Sequence, residues 1–169
     1  MEPSSGSVGL NLPSGVVTPG DVRRLRRELK NLEDSLQQMR LRTTTPIAKL
    51  PRLGRQLEEF SSTNRLNMLL PDDRQRSAAF LEHTLGHAPV LHIAFATEAS
   101  RSFTTQIVLW FRQNIQNDVL LSIGLEPSIA AGCVLRTPNK QFDFSLRSHF
   151  AKQTNLLVDK LKAEPTNVG

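Results

Sequence analysis

One segment, residues 133 to 145, constrains the fold more than any other part of the sequence, because it reads as a two-stranded hairpin in a single register. The Pro138-Asn139 pair suits the centre of a type I turn. Pairing outward from this turn gives one face with Cys133 opposite Phe144 and Leu135 opposite Phe142, and a second face with Val134, Arg136, Gln141 and Asp143. Arg136 then lies diagonal to Asp143. The two faces stay consistent along the whole segment, so the pattern predicts the register as well as the hairpin.

The hairpin belongs to a longer alternation of strand and helix patterns. Residues 89 to 96 and 118 to 124 alternate apolar residues with a period of two, which predicts two strands. Between them, Thr97 can cap a helix whose buried face is expected to comprise Ala99, Phe103, Ile107, Trp110 or Phe111, and Ile115. Ser145 can cap a final helix after the hairpin. The order strand, helix, strand, hairpin, helix predicts a compact domain over residues 89 to 163, followed by a flexible end at 164 to 169.

The first half of the chain carries a helical pattern instead. Residues 1 to 18 are rich in Gly, Ser and Pro, which predicts a flexible tail, and "TPGD" then marks the start of a helix over residues 19 to 42. Its apolar residues recur at spacings of three and four, as in the narrow seam of a coiled coil: Val22, Leu25, Leu29, Leu32, Leu36 and Met39. The preferred interpretation is that this seam, and Leu25, Leu29, Leu32 and Leu36 in particular, binds a partner helix. The alternative is that the helix folds back on its own domain.

Residues 43 to 88 link the two halves and show shorter helical patterns, which predict a helical connector. The predicted fold class is therefore α+β. A coiled-coil-like N-terminal helical arm precedes a compact strand-helix-strand-hairpin-helix domain.

The charge of the chain is concentrated in this arm. Of the net charge of +5, residues 21 to 76 contribute 13 Lys and Arg against 8 Asp and Glu, whereas the remainder is nearly balanced. A basic arm on a neutral domain suggests an acidic partner. One cysteine permits no internal disulfide, and no apolar run approaches the roughly 20 residues of a membrane span. We therefore expect a cytoplasmic protein that reaches a membrane only through its partners.

Residues that could carry catalysis do not converge in the sequence. His83 and His87 have a metal-like spacing, but Gly86 is expected to end the helix there and no third ligand is evident. Cys133 has no neighbouring histidine, and no glycine-rich phosphate loop occurs. The sequence favours a protein that is not an enzyme and needs no cofactor, metal or small-molecule substrate.

Nucleic acid is the rival partner, because "RRLRRELK" forms a basic helix. Glu28, Glu33 and Asp34 interleave with these basic residues, and the chain has no Tyr for base stacking. The pattern disfavours sequence-specific recognition. A basic coiled-coil adaptor or nucleic-acid-associated protein stays as the alternative.

The run "LEPSIAAGCVLRTPNKQFDFSLRSHF" resembles the C-terminal domain of the delta subunit of F-type ATP synthase, the oligomycin-sensitivity-conferring subunit in mitochondria. Pro127, Ser128 and Ile129 match the Pro-Ser-aliphatic positions of the family pattern, and Gly132 matches its glycine. Arg136 falls on the basic residue that ends the first hairpin strand. Asp143, Ser145 and Arg147 fall on an Asp-x-Ser-x-Arg element. The agreement in element order extends over about residues 89 to 161, less than half of the chain.

The chain departs from the family pattern at three points. "AAG" replaces a Gly-Gly pair, a Pro-Asn turn replaces the usual Gly-Asp turn, and Phe144 replaces a small residue. Residues 1 to 88 are also too short for the six-helix N-terminal bundle of delta subunits, and a helical arm before an α+β domain is similar to E-type peripheral-stalk subunits.

The resemblance implies a non-catalytic peripheral-stalk (stator) subunit of a rotary ATP synthase. Such a subunit links the catalytic head subunits to the membrane-anchored b stalk subunit and lies at the inner or cell membrane. Gly132, Arg136, Asp143, Ser145 and Arg147 are the expected partner-binding residues. The small residues 130 to 132 are expected to admit the backbone of another protein.

Overall fold

A computed structural model of the chain describes residues 9–41, 51–129, 131–137 and 139–146. Its helices are α1 (Pro19–Leu41), α2 (Arg55–Asn64), α3 (Pro71–His87) and α4 (Arg101–Asn114), and its strands are β1 (Val90–Phe95), β2 (Leu120–Leu125), β3 (Cys133–Arg136) and β4 (Gln141–Asp143). A short 3-10 turn, Pro127–Ile129, follows β2. The predicted fold class is confirmed: an N-terminal helix precedes a strand-helix-strand region that carries a mixed sheet.

The chain divides into two compact units. The helical unit consists of residues 1–90 and 102–120, and the sheet unit consists of residues 91–101 and 121–169. The chain therefore passes between the units three times, and α4 belongs mainly to the helical unit although β1 and β2 flank it in sequence.

Helix α1 begins at a capping box. The Thr18 hydroxyl oxygen accepts a hydrogen bond from the Asp21 N–H (3.2 Å), and the Asp21 carboxylate accepts one from the Thr18 N–H (2.9 Å). These reciprocal bonds satisfy amide groups that have no partner within the helix. The predicted start of the helix at Thr18 is confirmed.

The apolar face of α1 forms the core of the helical unit. Val22, Leu25, Leu29 and Leu32 are buried, and they join a cluster with Leu57 and Phe60 of α2 and Leu81 of α3. Leu36 is partly buried against the same cluster. The predicted partner seam is therefore corrected, because these leucines are covered by helices of their own unit. The alternative, a helix that folds back on its own domain, describes α1.

Residues 9 to 18 also belong to this core, so the predicted tail is wrong for this part. Leu12, Val16 and Val17 are buried, and Asn11 exchanges two backbone hydrogen bonds with the Asn64 side chain, at 2.7 and 3.0 Å. The segment contains these three buried apolar residues among its Gly, Ser and Pro residues. The free energy gained by burying them offsets the conformational entropy that the chain loses when it becomes ordered.

The sheet has the strand order β2-β1-β3-β4, and β1 pairs antiparallel with β3. Strands β1 and β2 run in parallel, because Pro89 and Phe95 accept hydrogen bonds from Leu120 and Glu126 in the same sequence order. The hairpin register is confirmed: Leu135 faces Phe142, and the Phe144 N–H donates to the Cys133 carbonyl (2.9 Å).

The orientation of α4 differs from the prediction. Its buried side chains are Thr104, Val108, Phe111 and Arg112, whereas Phe103 is exposed and Trp110 is 57% exposed. Trp110 and Phe111 were the alternatives for one position of the predicted buried face, and Phe111 is the residue that is buried there. Hydrophobicity alone points to the wrong face, because this helix buries an arginine whose three guanidinium nitrogens each donate to a carbonyl within the unit.

Within the residues that the structure describes, no helix is both long enough and apolar enough to cross a membrane.

Candidate functional site

Gly132 lies at the end of the hairpin, where the backbone of Phe144 and Ser145 approaches it closely. Its φ of +95° is a left-handed conformation that side chains disfavour. A Cβ at this position would collide with the carbonyl oxygen of Phe144 and would lie 3.0 Å from the Cα of Ser145. The space that the small residue provides is therefore filled by the chain itself. This corrects the expectation that Gly132 admits the backbone of a partner. Ala130 lies outside the described residues.

Backbone N–H groups donate hydrogen bonds at this end of the hairpin. The Leu146 N–H donates to the Ala131 carbonyl (2.8 Å), and the Ser145 N–H donates to the Asp143 carboxylate (2.8 Å). Ser145 is buried, so it is part of this corner and not of a free surface. Arg147, the last residue of the predicted site, lies outside the described residues, as does the helix that Ser145 was predicted to cap.

Arg136 forms an ion pair with Glu126, which lies just after β2, at 3.4 Å. The register places Arg136 opposite Gln141 and therefore diagonal to Asp143, as predicted, but the carboxylate that it meets at this distance is that of Glu126. Both partners are well exposed, so the pair contributes at most about 1 kcal/mol to stability. Its guanidinium is accessible for contact with another molecule.

An aromatic pair makes the hairpin corner apolar on its exposed side. Phe142 and Phe144 stack with their ring centroids 6.3 Å apart and are 42% and 63% exposed. Leu146 is also exposed. We call Phe142, Phe144 and Leu146 the corner surface; Arg136 lies on the other face of the hairpin. Aromatic residues are enriched in protein interfaces, and an exposed pair of stacked rings is the kind of anchor that a partner covers. The sequence pattern used the two phenylalanines only to set the register, so it did not predict this surface.

Cys133 lies on β3 beside this surface and is partly buried. Burial raises the pKa of its thiol above the ordinary value of 9.0. The neutral thiol therefore predominates at neutral pH, and a thiol in this form is a poor nucleophile.

A groove of about 210 Å³ lies beside α1 in the described part of the helical unit, lined among others by Glu28, Asn31, Ser35 and Arg52. One oxygen of the Glu28 carboxylate is buried against Gly54 and has no hydrogen-bond partner in the described part of the chain. No histidine or cysteine lines this groove. A lone carboxylate of this kind suits contact with a polar group more than it suits catalysis.

His83 and His87 lie on one helix, since α3 continues through Gly86 and ends at His87. The predicted helix end at Gly86 is therefore wrong by one residue. The two rings stack at 4.5 Å, and one ring nitrogen of His87 is 3.1 Å from the His83 carbonyl oxygen. Among the described residues, no group of three or more His, Cys, Asp or Glu side chains is placed to hold a metal ion.

Comparison with known proteins returned neither a protein-family model nor a curated protein that matches this chain.

Proposed function

We propose that the chain is a non-catalytic peripheral-stalk subunit of a rotary F-type ATP synthase. It would link the catalytic head to the membrane-anchored b stalk and would be located at the membrane through these partners. The observation that carries the proposal is Gly132: the glycine of the family pattern stands where the backbone of the facing hairpin strand leaves no space for a Cβ. The backbone geometry gives a physical reason for the glycine of the motif. It supports a resemblance that otherwise depends on the amino-acid sequence alone.

The element order supports the same proposal. Strand, helix, strand and hairpin follow one another from Val90 to Asp143 in the order that the resemblance implies. The Pro127-Ser128 pair forms the 3-10 turn between β2 and the hairpin.

The contact with the stalk belongs, in this proposal, to the corner surface and not to the α1 leucines. A partner helix with an apolar stripe would cover Phe142, Phe144 and Leu146. A stator has to resist torque without catalysing a reaction, so a packed apolar contact is sufficient for its task.

Co-purification tests the proposal. The tagged chain, isolated from its own cells under mild conditions, is expected to carry b and head subunits of the synthase. Phe144→Asp should reduce this recovery by about tenfold or more, because it places a charge in an apolar contact. Leu70→Asp is the matched control, since Leu70 is equally apolar and exposed but precedes α3 in the helical unit. A preparation that contains no synthase subunit would refute the proposal.

A basic adaptor for nucleic acid is the second candidate, because the basic residues near the start of α1 lie at the surface. Arg23, Arg24, Arg27 and Lys30 are all exposed. Phosphate contacts of this kind weaken steeply with added salt, roughly in proportion to the phosphates neutralised. Binding of a short DNA duplex that falls steeply between low and physiological salt, and falls further in Arg24→Gln/Arg27→Gln, would favour this candidate over the stator.

A further inference from the structure

His83 and His87 lie one turn apart on the same face of α3. A helix end at Gly86 was expected to separate them, but α3 continues to His87. Residues four apart on a continuous helix are neighbours on its surface. Both side chains are exposed, and their ring centroids lie 4.5 Å apart with an angle of 15° between the ring planes. The two imidazoles are therefore close enough to bind one ion.

The hydrogen bond of His87 determines which of its ring nitrogens is free. Its Nδ1 atom is 3.1 Å from the carbonyl oxygen of His83. A carbonyl oxygen only accepts hydrogen bonds, so Nδ1 carries the proton and the neutral ring keeps its lone pair on Nε2. Histidines that bind metals commonly donate their other ring N–H to a backbone carbonyl in this way, and the bond orients the ring. His87 thus has the tautomer and the support of a metal ligand.

Gly86 keeps the helix surface beside the two rings open. Its φ is not positive, and a Cβ at this position would meet no atom of the described residues within 4 Å. Neither backbone conformation nor packing therefore explains a glycine here, although glycine destabilises a helix relative to alanine. Ala79, one turn before His83, is also small and exposed. The space around the imidazoles can hold an ion together with its water ligands.

The acidic residue next to His83 is directed elsewhere. The carboxylate of Glu82 pairs with Arg26 of α1 at 3.2 Å. In the part of the chain that the structure describes, no third His, Cys, Asp or Glu side chain joins the two histidines. Water therefore has to complete the coordination of an ion at this site.

We propose that His83 and His87 form a two-histidine binding site for a divalent late transition-metal ion such as Zn²⁺. Imidazole nitrogen is a preferred ligand of Zn²⁺, Cu²⁺ and Ni²⁺, whereas Mg²⁺ and Ca²⁺ prefer oxygen. Two nitrogens bound to a tetrahedral Zn²⁺ at about 2.0–2.1 Å lie about 3.3 Å from each other. The exposed rings reach this separation by rotating out of their stacked position. This inference does not depend on the proposed function.

Isothermal titration calorimetry of the full chain, prepared without a histidine tag, tests the site with Zn²⁺. The native chain is expected to bind one ion with a dissociation constant in the micromolar range. His87→Gln should raise this constant by at least about tenfold, because it leaves a single exposed imidazole. His92→Gln/His149→Gln removes the other two histidines of the chain, and as the matched control it should leave Zn²⁺ binding unchanged.

A shifted pair tests whether the spacing matters. Glu82→His/His83→Gln keeps the number of histidines but places the two histidines of α3 five residues apart, on different faces of the helix. This variant should bind Zn²⁺ as weakly as His87→Gln. Circular dichroism of each variant should match that of the native chain, since all the changed positions of α3 are exposed.

Urea denaturation gives a second measure of binding. Zn²⁺ should raise the urea concentration at the midpoint of unfolding of the native chain, because the folded helix holds the two ligands together and the unfolded chain does not. The same concentration of Mg²⁺ should not change the midpoint, and neither ion should change that of His87→Gln.

Three results would overturn the proposal. The first is a native chain that binds Zn²⁺ no more tightly than His87→Gln. The second is a loss of binding in His92→Gln/His149→Gln, which would place the ion elsewhere. The third is a shifted pair that binds as tightly as the native one.

Discussion

At the scale of single residues, Gly132 carries the strictest requirement in the sheet unit. Alanine at this position would adopt a positive φ and would press its Cβ against the backbone of Phe144. Both effects act on the folded state, and we expect Gly132→Ala to reduce the free energy of unfolding by at least about 2 kcal/mol.

Urea denaturation, followed by circular dichroism, measures this difference. Gly124→Ala is the matched control, since its φ is not positive and its Cβ would make only an ordinary contact. If both alanine variants were as stable as the native chain, the close approach of the Phe144 backbone to Gly132 would not be the reason for the glycine.

Arg112 has a comparable role in the helical unit. Its guanidinium is buried and donates to three carbonyls, those of Val119 (3.2 Å), Pro13 (3.1 Å) and Val16 (2.6 Å). These bonds attach the N-terminal segment to α4. Lysine keeps the charge but cannot reach three separated acceptors, so Arg112→Lys should cost at least about 2 kcal/mol in urea denaturation. Arg55→Lys, at an exposed position, is the control and should be neutral within about 0.5 kcal/mol.

The pH dependence of this contribution has a definite sign. Burial lowers the pKa of Arg112 from its ordinary value to about 10, although the charge of Asp118 opposes the change. Below pH 10 the arginine is protonated in both the folded and the unfolded state, and its effect on stability is constant. Between pH 10 and the ordinary pKa of arginine the unfolded state binds a proton that the folded state has lost, so the contribution of Arg112 to stability rises with pH.

The difference in unfolding free energy between the native chain and Arg112→Met measures this contribution. It should be flat below pH 10 and should grow above it, in favour of the native chain. A difference that shrinks as the pH rises through 10 would contradict the assignment of burial as the dominant cause.

At the scale of elements, the leucines of α1 pack in the core of three helices and do not form a partner-binding surface. Leu29 is buried in the core that α1 forms with α2 and α3. Leu29→Lys should therefore unfold the helical unit, with a loss of about 3 to 5 kcal/mol. The fluorescence of Trp110, the only tryptophan of the chain, and the helical circular dichroism report this loss.

Leu41→Lys, near the exposed end of the same helix, is the control and should not change stability. A Leu29→Lys protein that keeps its native stability but loses a binding partner would restore the interpretation of this stripe as a partner seam.

The hairpin and the helix stripe show what a sequence pattern can and cannot predict. A period of two and a turn pair determine which residues of a hairpin face each other, and the register from Cys133 to Phe144 was predicted correctly for this reason. An a/d stripe identifies the apolar side of a helix but not the molecule that covers it. The same spacing serves a coiled coil and the core of a helical unit.

The buried face of α4 was predicted wrongly because two of its residues are polar. Thr104 and Arg112 are buried, whereas a hydrophobicity pattern assigns polar residues to the face exposed to solvent. The carbonyls that accept from Arg112 belong to residues 13, 16 and 119, two of them far away in sequence. The corner surface was missed for the opposite reason, because Phe142 and Phe144 are apolar and exposed. Contacts between distant segments decide the case of Arg112.

At the scale of the whole molecule, the two units are interleaved along the chain, since residues 102–120 belong with residues 1–90. The sequence suggested a boundary near residue 88, between the connector and the domain that follows it. A fragment that ends there lacks α4, the carbonyl of Val119 and the buried Leu120, all of which complete the helical unit. We expect the fragment of residues 1–88 to lose cooperative unfolding in urea and to show less helical circular dichroism than its helices require.

Adding the missing segment in trans tests whether the loss is specific. A peptide of residues 102–120 should restore cooperative unfolding to the fragment, because it returns the donors of Arg112 to the carbonyls of Pro13 and Val16 and the side chain of Val108 to its buried position. The same peptide with Arg112→Gln is the control and should restore little, since its shorter amide cannot reach all three carbonyls. A fragment that unfolds cooperatively without any peptide would show that the boundary near residue 88 is a true domain limit and that α4 is dispensable for the helical unit.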